Sequence, residues 1–141
     1  MDLNSQIELE IYFADHFDTI LFPVLADIYL KNNDLVRSRK VCEIGLKHHP
    51  KDSAGLFILA NIEKKEGNLK EAEKILEDVL IYAQDHFLAA VELCEIQTIL
   101  GRAKSRLVKS WKSVLHLDPS YHTAKEFLDK NDVPDNNVKT P

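Results

Sequence analysis

The amino-acid sequence predicts an all-α protein of about seven or eight helices, arranged as short helical pairs. The interval from Gly67 to Gly101 equals the interval from Asn33 to Gly67. Each of these three residues follows one apolar helical pattern and precedes another. Because glycine and asparagine tolerate the positive φ of a tight turn between helices, the equal spacing predicts a helix–turn–helix unit that recurs along the chain.

The bulk composition fits one globular domain. The chain has 141 residues, of which 45% are apolar and 29% charged, and a net charge of −5, which is the ordinary balance of such a domain. The acidic start of the chain argues against a signal peptide, and no apolar run approaches the ~20 residues of a membrane span. With two cysteines, we expect a cytoplasmic protein with reduced thiols and no membrane contact.

Both ends of the chain are predicted to cap the helical pairs. Residues 1–18 are expected to form a helix that ends near Asp15 to Asp18, although the stretch IELEIYF also alternates like a strand. Residues 120–130 carry one apolar stripe behind Asp-Pro-Ser, a helix start signal, and are predicted to form a second capping helix. Residues 131–141 are polar and aperiodic, so we expect disorder there.

Between these ends, small and large apolar residues repeat at equivalent places. Ala26, Ala60 and Cys94 are small where two helices are expected to cross, and a leucine precedes each of them. Glu73 and Glu77 are assigned to the water-facing side of a predicted helix, opposite its stripe of apolar residues at helical spacing. That stripe consists of Ala72, Leu76, Val79 and Ala83. One helical pair cannot bury its apolar face alone, so neighbouring pairs are expected to stack.

This pattern resembles the tetratricopeptide repeat family, whose repeat length of about 34 residues matches the interval between the turns. The first-helix positions of the family are met in residues 19–52 by Phe22, Leu25, Ala26 and Tyr29, in residues 53–86 by Leu56, Leu59 and Ala60, and in residues 87–119 by Ala90, Leu93 and Cys94. The second-helix positions are met by Ser38, Cys42 and Gly45, by Ala72, Leu76 and Val79, and by Leu107, Trp111 and Val114. The resemblance implies a right-handed α-solenoid of antiparallel helix pairs.

Three features depart from the family pattern. Glu63 and Gln97 stand where the family has an aromatic residue. Gln84 takes the place of the proline that closes a repeat, whereas Pro50 and Pro119 match it. The third repeat fits only with one extra residue in the turn near Gly101, so we expect a looser turn there.

The resemblance also implies a binding groove, which the first helices of successive repeats line in this family. The groove-facing positions carried over to this sequence are Ile20, Pro23, Asp27, Leu30, Ala54, Phe57, Asn61, Lys64, Leu88, Val91, Glu95 and Thr98. Family members that grip a C-terminal carboxylate need a basic clamp, whose positions here hold Pro23, Asp27, Ile58, Leu88 and Glu92. We therefore expect an apolar or basic peptide or helix rather than an acidic C-terminal tail.

The stretch CEIGLKHHPKD, residues 42–52, looks at first like a metal site. A helix rises ~1.5 Å per residue, so Cys42 and His49 would lie ~10 Å apart along its axis, too far to share one zinc ion. The histidines are expected in the last helical turn, which Pro50 ends. Cys42, Cys94 and Trp111 are assigned to the core, and no catalytic motif is present. The sequence thus predicts no enzyme activity, no metal and no cofactor.

The two ends of the chain carry opposite charges. Residues 1–30 hold six acidic residues and no Lys or Arg, whereas residues 102–112 hold five basic residues and no acid. The basic patch comprises Arg102, Arg106, Lys109 and Lys112. These charges are interpreted as solvated helix faces, with head-to-tail association of two copies as the alternative. A pI of 5.6 argues against nucleic-acid binding.

The functional prediction is a non-catalytic adaptor or scaffold that binds a peptide or helix of a partner protein in its groove. Self-association into a homo-oligomer, through the charged ends or the groove, is the alternative. Nucleic-acid binding through the basic helix 102–112 ranks third.

Overall fold

A computed structural model describes residues 1–131 of the chain, so the tail predicted to be disordered lies, from residue 132 on, outside the described residues. Residues 1–131 contain eight helices and no strand, and the strand alternative for the N-terminal stretch is therefore wrong. None of these helices combines the length and the apolar character that a bilayer crossing requires. The helices are α1 (Gln6–Asp15), α2 (Phe22–Lys31), α3 (Leu35–His48), α4 (Ser53–Lys65), α5 (Leu69–Tyr82), α6 (Phe87–Ile99), α7 (Lys104–Leu117) and α8 (His122–Asn131).

The chain divides into two compact units. The first unit, Met1–Gln84, contains α1 to α5, and the second begins at Asp85 and contains α6 to α8. In the first unit, α2 packs on α3 and α4 packs on α5. Helix α4 also contacts both α2 and α3, while α1 contacts α2. In the second unit, α7 packs against both α6 and α8.

The turn inside each helical pair is built on the residue that the spacing predicts. Asn33, Gly67 and Gly101 have φ values of 60°, 83° and 69°, and no other residue between 1 and 131 has a positive φ. In each turn, the N–H of the residue that follows donates to the carbonyl five residues earlier, as in Asp34 to Tyr29 at 2.8 Å. This hydrogen bond is that of a Schellman motif, which closes a helix on a left-handed residue. The prediction of three tight turns is confirmed.

The third turn contains the extra residue that the sequence predicts. Helix α7 begins three residues after Gly101, whereas α3 and α5 begin two residues after Asn33 and Gly67. Asp34, the N-cap of α3, accepts a hydrogen bond from a first-turn N–H, but Ala103, the N-cap of α7, has no side chain that can accept one. This lack is not specific to the longer turn, since Asn68, the N-cap of α5, makes no side-chain cap hydrogen bond either.

The core of the first unit forms around Phe22. Its ring is fully buried and occupies the space beside Gly45 of α3 and Gly55 of α4, where a Cβ at either position would overlap it. Because glycine has no side chain at either position, Phe22 of α2 contacts both α3 and α4. Gly45 was predicted to be a small packing position, whereas nothing in the sequence pattern singled out Gly55.

Helix α5 buries a wider arc than its predicted stripe. Ala72, Leu76 and Val79 are fully buried, as expected, but Ile75 and Glu73 are also buried. The assignment of Glu73 to water is wrong, since only 4% of the residue is exposed. Glu73 lies three residues before Leu76 and is therefore next to the apolar stripe on the helix surface. The contacts that bury the stripe bury Glu73 as well.

Aromatic rings hold the second unit together. Trp111 of α7 is 5% exposed, and its ring lies 6.5 Å from that of Tyr121 and 6.0 Å from that of Phe127 on α8. Phe87, at the start of α6, meets Tyr121 edge-on at 5.3 Å. The prediction that Trp111 is a packing residue is confirmed. The helix predicted for residues 120–130 is present as α8, His122–Asn131.

We expect Gly45→Ala to destabilise the protein, because the new methyl group would overlap the Phe22 ring. Overpacking of this kind costs about 1–3 kcal/mol, more than the ~0.8–1.0 kcal/mol by which alanine exceeds glycine in helix propensity. Urea unfolding followed by far-ultraviolet circular dichroism measures the change. In a Phe22→Leu background, where the smaller side chain leaves room, the same substitution should cost less. An equal cost in both backgrounds would contradict this packing.

Candidate functional site

An open groove of about 450 Å³ lies in the first unit, where α2 and α4 face each other. These helices are the first members of two consecutive helical pairs. Side chains of α2, of the turn after it and of α4 line the groove: Asp27, Leu30, Lys31, Asn33, Phe57, Ile58, Asn61 and Lys65. The groove therefore has an apolar floor bordered by amide and charged groups.

Four residues predicted for the binding surface line this groove together: Asp27, Leu30, Phe57 and Asn61. All four are half-buried, so part of each side chain remains open to a ligand. Lys31 and Lys65 also line the groove and were not among the predicted residues. These two lysines are separated by the same interval as the turn residues Asn33 and Gly67, so the repeat spacing could have identified them.

Other predicted positions of the first two helical pairs lie outside the groove lining. Ile20 is 70% exposed, but it belongs to the turn before α2, which begins only at Phe22. Pro23 is buried in the first turn of α2. Lys64 is half-buried and Ala54 is exposed on α4.

The remaining predicted positions lie on α6, in the second unit. Leu88, Glu95 and Thr98 are exposed there, whereas Val91 is buried. The hydroxyl of Thr98 donates to the carbonyl of Cys94 at 2.8 Å, a bond within the helix.

Charges at the groove nearly balance. Lys31 forms an ion pair with Asp27, and the two side chains are 74% and 40% exposed. Lys65 adds a second ammonium group to the lining. The amide nitrogen of Asn61 donates to the carbonyl of Phe57 at 3.0 Å, which leaves a second N–H and the amide oxygen as its remaining hydrogen-bonding capacity. Because the lining holds one carboxylate and two ammonium groups, its charge does not favour a basic ligand.

The contacts of Glu63 show what replaces the aromatic residue that the family has at this position. It is 8% exposed on α4, and its carboxylate accepts two hydrogen bonds from the Arg39 guanidinium of α3, at 3.1 and 3.0 Å. Asn68 donates to the same carboxylate at 2.9 Å, and Arg39 also pairs with Glu66. The hydrogen bonds from Arg39 lower the pKa of Glu63 below its ordinary value. A bidentate ion pair thus replaces aromatic packing and ties α4, one wall of the groove, to α3.

The residues at the position equivalent to Glu63 in the other two helical pairs also make a polar connection to another helix. The hydroxyl of Tyr29 donates to Glu10 of α1, and burial together with this bond raises the pKa of Tyr29 to about 12. Gln97, 1% exposed on α6, accepts a hydrogen bond from the Ser110 hydroxyl of α7 at 2.6 Å. The departure of Glu63 and Gln97 from an aromatic type could have indicated their connections, although none was predicted from it, and Tyr29 shows no such departure.

The cysteine and histidines of residues 42–52 have structural partners. His49 is the C-cap of α3, its Nε2 lies 2.6 Å from the Asp18 carbonyl oxygen, and its ring stacks on Phe22 at 6.2 Å. Burial raises the pKa of Cys42 and of Cys94 to about 12, so neither forms a reactive thiolate near neutral pH. Within residues 1–131, no three His, Cys, Asp or Glu side chains are grouped to hold a metal ion.

The predicted basic patch lies in the second unit. Arg106, Lys109 and Lys112 are exposed on α7, and Arg102 is half-buried in the turn before it. The patch therefore presents its charge at the surface of one helix.

We expect the Arg39–Glu63 pair to stabilise the fold in a pH-dependent way. Because the folded-state pKa of Glu63 is lowered below 4.5, the ionised pair stabilises above pH 4.5, and this contribution is lost as pH falls through the folded-state value. A double-mutant cycle of Arg39→Met and Glu63→Gln, measured by urea unfolding, should give a coupling of about 0.5–3 kcal/mol at pH 7. The coupling should decline as the pH is lowered toward 2.5; a coupling that acid leaves unchanged would contradict the assignment.

Comparisons with known proteins add no family to this picture. The chain matches no protein-family model, and a search of curated proteins finds no match. The tetratricopeptide resemblance therefore stays a prediction from the residues.

Proposed function

We propose that this chain is a non-catalytic adaptor that binds a segment of a partner protein in the groove between α2 and α4. The observation that supports this most is the open apolar floor formed by Leu30, Phe57 and Ile58. Asn61 borders that floor with an amide that keeps hydrogen-bonding capacity. A concave surface with apolar side chains and a few placed polar groups is what a docked peptide or helix requires.

We further propose that the helical pairs are tetratricopeptide-type repeats of a right-handed α-solenoid. The support is the Schellman turn that recurs at Asn33, Gly67 and Gly101 with the repeat spacing of that family. Within the first unit, the two first helices, α2 and α4, also contact each other. Stacking of this kind turns successive first helices into a shared binding face.

The partner segment that this groove favours is apolar. Its volume of about 450 Å³ accommodates a few side chains rather than a folded domain. Apolar side chains would contact Leu30 and Phe57, and the backbone of the segment would bond to Asn61. The Asp27–Lys31 pair would border the site, and Lys65 would add a further ammonium group there.

A groove variant tests this proposal. Phe57→Ala with Asn61→Ala removes an aromatic contact and an amide, and loss of such a central contact typically costs about 2 kcal/mol or more, roughly 30-fold in affinity. Affinity capture from native lysate with quantitative mass spectrometry should show partner proteins that the wild type retains and the groove variant loses. Circular dichroism checks that the variant is folded.

The matched control is Ile81→Ala with Tyr82→Ala, which removes exposed apolar surface from the end of α5, away from the groove. Proteins that depend on the groove should bind this control as they bind the wild type. If wild type, groove variant and control retain the same proteins in the same amounts, the groove is not the binding site.

Self-association is a second candidate function, because the opposite charges of the chain's two ends are exposed. Glu8, Asp15 and Asp18 are exposed near the N-terminus, and Arg106 and Lys109 are exposed on α7. Complementary charges of this kind steer two copies together, and salt weakens the attraction.

We expect this association to appear in sedimentation velocity at ~50 mM salt and to weaken at ~500 mM, where screening is stronger. Lys109→Glu with Lys112→Glu should abolish it, because like charges would then face each other. Mixing that variant with Asp15→Lys/Asp18→Lys should restore a complex. A wild-type monomer at every concentration and salt would remove this candidate.

A further inference from the structure

Helix α1 has two apolar faces, and within the described residues 1–131 only one of them is buried. Leu9 and Phe13 are buried in the core of the first unit. Ile7 and Ile11 are 69% and 61% exposed; four residues apart, they lie on one face of the helix. Leu3, in the turn before α1, is 46% exposed. These three side chains, Leu3, Ile7 and Ile11, form what we call the α1 strip.

The α1 strip differs from ordinary scattered exposure. Single apolar side chains on a surface are normal, but a contiguous exposed patch marks an interaction site. Among residues 1–131, eleven large apolar side chains are exposed, and five of these precede residue 18. The described surface thus concentrates exposed apolar side chains at one end of the chain.

Carboxylates border the α1 strip on both sides. At ~100° per residue around a helix, Glu8 and Asp15 fall on one side of Ile7 and Glu10 falls on the other. No Lys or Arg is present in residues 1–30, but Arg37 of α3 lies 4.0 Å from the Glu10 carboxylate and offsets its charge. Glu8 and Asp15 are exposed, so their charge reaches a molecule that approaches the strip.

We propose that the α1 strip docks a basic amphipathic helix of a partner protein. The apolar face of the partner helix would bury Leu3, Ile7 and Ile11. Lys or Arg residues beside that face would lie opposite Glu8 and Asp15. Apolar anchors one helical turn apart, with complementary charges at the edges, are how one helix recognises another. This surface belongs to α1 and is separate from the groove lining of α2 and α4.

A second copy of the chain does not match the α1 strip. Two α1 helices would bring carboxylates against carboxylates, which costs affinity. Helix α7 is basic, but none of the large apolar side chains exposed between residues 1 and 131 lies on it, so it offers no seam to bury the isoleucines. An anionic membrane surface is disfavoured too, because interfacial helices need basic flanks.

Fluorescence anisotropy with a synthetic peptide tests the proposal on the full chain. The probe is a fluorescein-labelled ~18-residue helix with leucine along one stripe and lysine elsewhere, and its control carries glutamate for every lysine. We expect the lysine peptide to bind the wild type at least tenfold more tightly than the glutamate peptide. Ile7→Ala with Ile11→Ala should weaken it at least tenfold while leaving circular dichroism unchanged, because both side chains are exposed.

Two matched variants make the test specific. Val36→Ala with Ile81→Ala removes exposed apolar side chains from α3 and α5, and Phe57→Ala with Asn61→Ala alters the groove. Both should bind the lysine peptide as the wild type does. Loss of peptide binding in the groove variant alone would overturn the α1 proposal and leave the groove proposal standing.

Other results also overturn it. The proposal fails if the two peptides bind equally, or if the isoleucine substitutions leave the affinity unchanged. A concentration-dependent dimer in sedimentation velocity that Ile7→Ala/Ile11→Ala abolishes would assign the strip to a second copy. Co-sedimentation with phosphatidylcholine or phosphatidylglycerol vesicles that the same substitutions abolish would assign it to a lipid surface.

Discussion

The fold depends on one backbone constraint, the left-handed residue that ends the first helix of each pair. Asn33, Gly67 and Gly101 adopt φ values between 60° and 83°, and each lets the following N–H satisfy a carbonyl that would otherwise be left open at a helix end. The chain can then reverse within a few residues, so the two helices of a pair lie side by side. The apolar stripes of α2 and α3, or of α4 and α5, meet because these turns close.

Polar side chains at one position of the three first helices each bond to another helix. Tyr29 bonds to α1, Glu63 to α3 and Gln97 to α7. A partly buried ion pair such as Arg39–Glu63 is weak evidence for net stability, because removing the charges from water offsets their attraction. Its geometric effect is clearer: two parallel hydrogen bonds fix α4 against α3. Since Phe57 and Asn61 lie on the same helix as Glu63, this pair also positions one wall of the groove.

The first unit presents two surfaces with different chemistry. The groove combines an apolar floor with one carboxylate, two ammonium groups and two amides, and its charges nearly cancel. The α1 strip has exposed isoleucines between carboxylates, in a segment without Lys or Arg. The difference lies in the residues that border each apolar surface, which is where electrostatic complementarity selects one partner over another.

The sequence by itself determined the local features: the helices, the three turns, the extra residue after Gly101 and the small residues where helices cross. Helix periodicity and a positive φ are properties of neighbouring residues, so they can be predicted without the fold. Four of the predicted groove residues also line one groove: Asp27, Leu30, Phe57 and Asn61. Only the tertiary structure decided that Gly55 admits the Phe22 ring, that Glu73 is buried, and that the outer face of α1 stays exposed. A periodic pattern shows that a helix has an apolar side, but which side finds a partner depends on the helices packed around it.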